Sequence, residues 1–138
     1  MPLPPAEVNA RIEQLSERGD ALASAGNYNA ALERYRAAFA LLPAPAERHR
    51  TYQWLLAAMA DAHFHRGDWG GCRQNLRDAI EAGGGENAFV RLRLGQAELA
   101  LGDEAAAERH LFEAFRLGGE EVFEVDGGIH LEWLRRRV

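Results

Sequence analysis

The chain contains no lysine, a single cysteine, two serines and only nine residues of the types Val, Ile and Thr among its 138. Each shortage removes a class of explanation. A lone thiol, Cys72, cannot close an internal disulfide, and no cluster with His has the spacing of a structural zinc site, so the core must hold the fold unaided. Few β-branched side chains beside abundant Ala, Leu, Glu and Arg argue for an all-α protein, because β-branched residues suit strands and these do not. The serines are Ser16 and Ser24. With no nucleophile elbow, phosphate-binding glycine loop or zinc-protease motif, the chain is expected to be no enzyme and to take no cofactor or small-molecule substrate. No apolar run reaches the length of a bilayer span, and Met1-Pro2-Leu3-Pro4-Pro5 lacks the basic flank and apolar stretch of a secretory signal. A cytoplasmic location away from membranes is the expectation. A net charge of −5 leaves little basic surface for phosphates, which argues against nucleic acid and for a basic partner.

The length suits one domain, residues 1–138, and within it one grammar recurs. Gly followed by Asn or Asp appears as Gly26-Asn27-Tyr28, Gly67-Asp68-Trp69 and Gly102-Asp103-Glu104, each time between two apolar-periodic stretches of helical length. The glycines lie 41 and 35 residues apart. Seven positions before them stand Gly19, Ala60 and Gly95, small residues where two helices would approach closely. Five positions after come Ala31, Cys72 and Ala107, nine after come Tyr35, Leu76 and Leu111, and twelve after come Ala38, Ala79 and Ala114. The pattern predicts helices over 6–25, 28–41, 46–66, 69–82, 86–101 and 104–117, the third unusually long. Gly83-Gly84-Gly85 should close the fourth by a left-handed residue. A terminal helix over 129–138 should end on Arg135, Arg136 and Arg137, whose charge suits a helix C-terminus.

These positions resemble the tetratricopeptide repeat, a pair of antiparallel helices in about 34 residues. The segment 12–45 matches best, with Gly19, Leu22, Ala31, Tyr35, Ala38 and Pro43 at the family's Gly, large apolar, Ala, aromatic, Ala and Pro places, although Leu15 and Arg18 depart from its pattern. Segments 53–86 and 88–121 match less fully, with Gly84 and Gly119 for the closing Pro. The resemblance implies three antiparallel helix pairs in a short right-handed solenoid, with 122–138 as a capping segment. It also implies a concave partner-binding face on the first helix of each pair: Glu13, Glu17, Asp20 and Ser24, then Trp54, Asp61 and His65, then Phe89, Arg93 and Gln96. The first half of that face is acidic and fits a basic protein or peptide, with Trp54 and Phe64 as apolar anchors. The alternative, a merely solvated helix face with Trp54 in the core, stays open, as does the use of the convex side. Co-chaperones of the family hold acidic tails through Lys, Arg and Asn; here Asp20, Asp61 and Gln96 occupy the corresponding places, so that clamp is absent.

One further cluster is Asp61, His63 and His65. Asp61 and His65, four apart, share a helix face and His63 does not, so no metal site is expected. Cys72 is expected as packing and the triple glycine as a linker.

The run Asn87 to Gln96, then Glu108 to Phe115, Gly118-Gly119-Glu120-Glu121-Val122-Phe123-Glu124 and Leu131-Glu132-Trp133-Leu134 is similar to a group of small bacterial tetratricopeptide proteins. Many of those are encoded beside Rhs-type or other polymorphic toxins. The segment Val125 to His130 departs from the group's charged tail. This resemblance implies an immunity protein that binds and neutralises a cognate toxin, of the kind associated with type VI secretion, by occluding its active site. A chaperone or adaptor for a secreted protein is the alternative. Charge reversal at Asp20 and Asp61 together is expected to weaken binding and leave helicity unchanged.

Overall fold

A computed structural model describes residues 5–137. The first four residues, where a leader was sought above, and Val138, the end of the expected terminal helix, lie outside the described residues. Among the described residues there are helices and no strand. In chain order they are α1 (Pro5–Ser24), α2 (Tyr28–Ala40), α3 (Arg50–His65), α4 (Trp69–Glu81), α5 (Ala88–Ala100), α6 (Glu104–Gly118) and α7 (Ile129–Arg135). Consecutive helices pair as α1 with α2, α3 with α4 and α5 with α6, and each pair packs on the next through α2–α3 and α4–α5. The result is an all-α helical repeat.

The recurring glycines explain the turn inside each pair. Gly26, Gly67 and Gly102 have φ of 81°, 77° and 87°, a conformation in which a Cβ would be strained. The following acid then starts the next helix: Asp68 accepts from the Gly71 amide and Asp103 from the Ala106 amide, both at 3.0 Å. These bonds satisfy amides that a helix N-terminus leaves unpaired.

The spaced residues form the core. Ala31, Cys72 and Ala107 are fully buried, as are Ala38, Ala79 and Ala114, and Tyr35, Leu76 and Leu111 fill the space between them. Close approach is visible at Gly19 and Gly95, where a Cβ would stand 2.5 Å from Tyr35 Cε1 and 2.6 Å from Leu111 Cγ respectively. Three apolar clusters follow one another along the chain. One joins Ile12, Leu32, Tyr35 and Leu55, the next Cys72, Leu76, Val90 and Leu94, and the last Leu92, Leu111, Phe123, Leu131 and Leu134. Such serial packing is the mark of a solenoid, in which each unit touches only its neighbours.

Two expectations need correction. The third helix is not unusually long: Ala46–Arg48 forms a separate 3-10 turn, His49 is extended at φ −85° and ψ 135°, and α3 begins only at Arg50. Residues Glu47 to Arg50 are all exposed, so no apolar face rewards a continued helix. The ring of His49 lies 3.0 Å from the Pro43 carbonyl and holds the bend. The fifth helix likewise begins two residues late. Gly83 takes the expected left-handed conformation at φ 109°, Gly84–Glu86 makes another 3-10 turn, and Asn87 caps α5 through the amides of Phe89 and Val90.

Candidate partner-binding groove

On α1, Glu13, Glu17 and Asp20 follow one another at helical spacing and therefore share a face. Opposite them the first turns of α3 present Arg50, Thr51 and Trp54. Together with Asn9, Ile12 and Ser16 these residues line a groove of about 610 Å³. Trp54 is 48% exposed, so it belongs to the wall of the groove and not to the core. Ser16 takes no part in the polar surface, because its hydroxyl donates to the Ile12 carbonyl at 2.7 Å. Asp20 is oriented: the Tyr35 hydroxyl donates to its Oδ1 at 2.6 Å. Burial, then the hydrogen bond to Asp20 and that carboxylate's charge, push the Tyr35 hydroxyl well above its ordinary value. Tyr35 is thus a fixed donor at neutral pH.

Beyond Asp20 the inner face changes character. Asp61 and His65 stand on α3 with His65 Nε2 3.4 Å from Asp61 Oδ2, and His65 stacks on Tyr28 at 5.5 Å. Arg93 reaches across from α5 and places Nη2 2.7 Å from Asp61 Oδ1. Its guanidinium carbon sits 4.0 Å from the ring centre of Phe64 and 5.0 Å from that of Phe89. Arg93 Nη1 then donates to Gln96 Oε1 at 2.9 Å, Gln96 Nε2 donates to Asp126 Oδ2 at 2.9 Å, and Asp126 bonds the His130 ring. Burial raises the affinity of Asp126 for its proton, but the bonds from His130 and Gln96 outweigh it and hold the carboxyl below the usual range.

The residues singled out from the sequence therefore divide in two. Glu13, Glu17, Asp20 and Trp54 meet in one open groove, while Ser24 is exposed at the end of α1 outside it. Asp61 and Phe89 contact Arg93, and His65 reaches it only through Asp61. Arg93 and Gln96 are only 8% and 3% exposed, so their polar atoms serve the interior and not the surface. The sequence reading missed Asp126 and His130, which come from the tail and close this end of the face. The available signal was an Asp four residues before a His beside Gly127-Gly128. One more expectation changes: Asp61 neutralises a buried guanidinium, so its charge reversal would disturb the fold as well as the groove.

His63 is spent elsewhere. It is buried on the far side of α3 with Nδ1 3.0 Å from Asp68 Oδ2, and burial lowers its proton affinity despite that carboxylate. Among the described residues no group of three His, Cys, Asp or Glu side chains is placed to hold a metal ion. No described helix is long and apolar enough to cross a membrane.

This architecture superimposes on the solved structure "First TPR of Spaghetti (RPAP3) bound to HSP90 peptide SRMEEVD" with a TM-score of 0.72 over 92% of this chain and 90% of that one. The fold is TPR-like. Sequence identity is 18%, and the likeness concerns the path of the helices. No protein-family model matches the chain, and no curated protein does. In the TPR-like frame α1, α3 and α5 are the first helices of their pairs, and the groove lies between the first two of them.

Proposed function

We propose that the chain is a protein-binding module whose groove between α1 and α3 receives a basic partner, and that this partner is a toxin domain which the chain neutralises as its immunity protein. The observation that carries the reading is the composition of the open groove: three carboxylates, Glu13, Glu17 and Asp20, beside the exposed ring of Trp54 and against the single cation Arg50. A basic surface gains encounter rate and orientation from such a partner, and an exposed tryptophan is the residue type that dominates interface energies. The TPR-like neighbour is bound to a peptide with two Glu and one Asp in its SRMEEVD. Here acids stand at the inner-face places, so the charge preference is reversed. The likeness of the third repeat and tail to bacterial proteins encoded beside Rhs-type toxins supplies the toxin. Neutralisation then needs no chemistry: a one-to-one complex covers the toxin's substrate surface.

The test is protection in cells. The toxin-like product of the neighbouring gene is expressed with the wild-type chain or with Glu13→Arg/Glu17→Arg, two exposed positions whose reversal leaves the core untouched. Rescue by the wild type, loss of rescue by the variant and a co-purifying complex that weakens with salt are expected. No rescue and no complex would overturn the reading. The peptide bound to the TPR-like neighbour favours one second reading, an adaptor that holds a linear segment of a secreted protein. Rescue failing while a disordered segment co-purifies would select it.

A further inference from the structure

The repeat register aligns the two junctions of the inner face residue by residue. An offset of 35 puts Phe89 in the place of Trp54 and Arg93 in the place of Ala58, and an offset of 41 puts Asp61 in the place of Asp20 and Phe64 in the place of Ala23. At the α3–α5 junction the set is complete. Arg93 pairs with Asp61 at 2.7 Å and lies over Phe89, one turn earlier on its own helix, and over Phe64. At the α1–α3 junction the carboxylate of Asp20 and the ring of Trp54 line one groove, and the register place of Arg93 is taken by Ala58. The guanidinium is missing.

What surrounds the gap suits the missing group. Tyr35 orients Asp20 through a 2.6 Å hydrogen bond, and Glu17, one turn away, brings a second carboxylate into the same groove. Among the described residues neither Glu13 nor Glu17 makes an ion pair. The groove's one cation, Arg50, occupies the place of Asn9, about three helical turns before that of Asp20. At the place of the second ring, Phe64, stands Ala23.

We propose that this groove binds an arginine side chain of the partner, its guanidinium against Asp20 and Glu17 and its plane over Trp54, so that a foreign residue repeats the contact Arg93 makes within the chain. Arginine is favoured over lysine because a planar guanidinium can stack on an indole and fork to a carboxylate at once, whereas an ammonium is a compact, strongly hydrated point charge. The inference rests on the reading of this groove as the partner site and names the residue it selects.

The test titrates the full-length, ¹⁵N-labelled chain with acetyl-Gly-Gly-Arg-Gly-Gly-amide and with its lysine and citrulline counterparts. The signals followed are the indole N–H resonances of the three tryptophans, that of Trp54 being assigned with Trp54→Phe. Saturable movement of the Trp54 signal is expected with the arginine peptide, about fivefold weaker binding with lysine and none with citrulline. Asp20→Asn should weaken arginine binding about tenfold. Ala58→Arg, which supplies the guanidinium in cis, should abolish it. Equal response to arginine and lysine, or no movement of the Trp54 signal at millimolar peptide, overturns the proposal; if Ala58→Arg fails to fold, Asp20→Asn and the lysine comparison decide. The two readings fail separately. A toxin complex that forms at wild-type affinity with Asp20→Asn and Trp54→Phe would remove the arginine site and keep the immunity role, whereas arginine binding without protection in cells would do the opposite.

Discussion

Replacing Phe123 with alanine should destabilise the carboxyl-terminal third of the molecule far more than its place among Glu120, Glu121 and Glu124 in the sequence suggests. Its ring is fully buried and packs with Leu92 of α5, Leu111 and Ala114 of α6, and Leu131 and Leu134 of α7. Removing it forfeits about 2 kcal/mol of apolar transfer energy, and the cavity left behind brings Phe→Ala changes to about 3–5 kcal/mol. Phe123 belongs to a 3-10 segment, Glu120–Asp126, near the chain end, whose backbone can settle into part of the void. The lower value, about 3 kcal/mol, is therefore expected. For a chain of this size that corresponds to a fall in Tm of roughly 10–15 °C. Urea unfolding followed by far-UV circular dichroism gives the energy, and hydrogen exchange gives its location. Exchange should accelerate in α5, α6 and α7 and change little in α1 and α2, because solenoid units feel mainly their neighbours. A loss below about 1 kcal/mol, or acceleration spread evenly over all helices, would refute the packing of the tail against α5 and α6.

Two glycines of opposite surroundings should respond with opposite sign. Gly95→Ala drives a Cβ to 2.6 Å from Leu111 Cγ and 3.2 Å from the Leu111 amide nitrogen and should cost about 1–3 kcal/mol in chemical denaturation. Gly70→Ala, at an exposed position of α4 whose nearest contact is Asp68 Oδ1 at 3.9 Å, should gain about 0.5 kcal/mol. Burial, then the charges of Arg91, Arg109 and Arg77, lower the His110 imidazole to about 4 from 6.5. The unfolded chain then binds the extra proton between those values, so His110 contributes stability that is complete above pH 6.5 and is lost as pH falls toward about 4. His110→Gln should flatten the stability profile in that window by up to about 3 kcal/mol, measured against the wild type because buried His63 shifts in the same direction. Burial pushes the Cys72 thiol up to about 12; it should resist alkylation in the native chain and react on denaturation, and rapid labelling of the folded protein would contradict its place in the core.

Much of the fold was legible because it is local and repeated. Ala31, Cys72 and Ala107 occupy one slot, Tyr35, Leu76 and Leu111 another, and every one is buried. The glycine turns and the capping Asp68 and Asp103 write the helix boundaries into three consecutive residues. The 46–49 segment was misread because its Ala-Glu-Arg composition favours a helix by propensity, while only burial of a face would have sustained one. In the groove, the sharing of one face by Glu13, Glu17 and Asp20 follows from spacing alone. That Trp54 stands beside them was implied only by the tetratricopeptide resemblance, with a place in the core left open, and its exposure in the folded chain decided it.

The sequence by itself determined the helix pairs, their turns and the acidic stripe on α1, because each depends on residues within one or two helical turns. Only the tertiary structure decided which part of the inner face stays open. Gln96 and Asp126, thirty residues apart and bonded at 2.9 Å, draw the tail over α5, and Arg93 folds back onto Asp61 of the preceding repeat. No periodicity encodes those two contacts, since each depends on where separate helices come to rest against one another. They fill the second junction from within and leave the first, between Asp20 and Trp54, without its guanidinium.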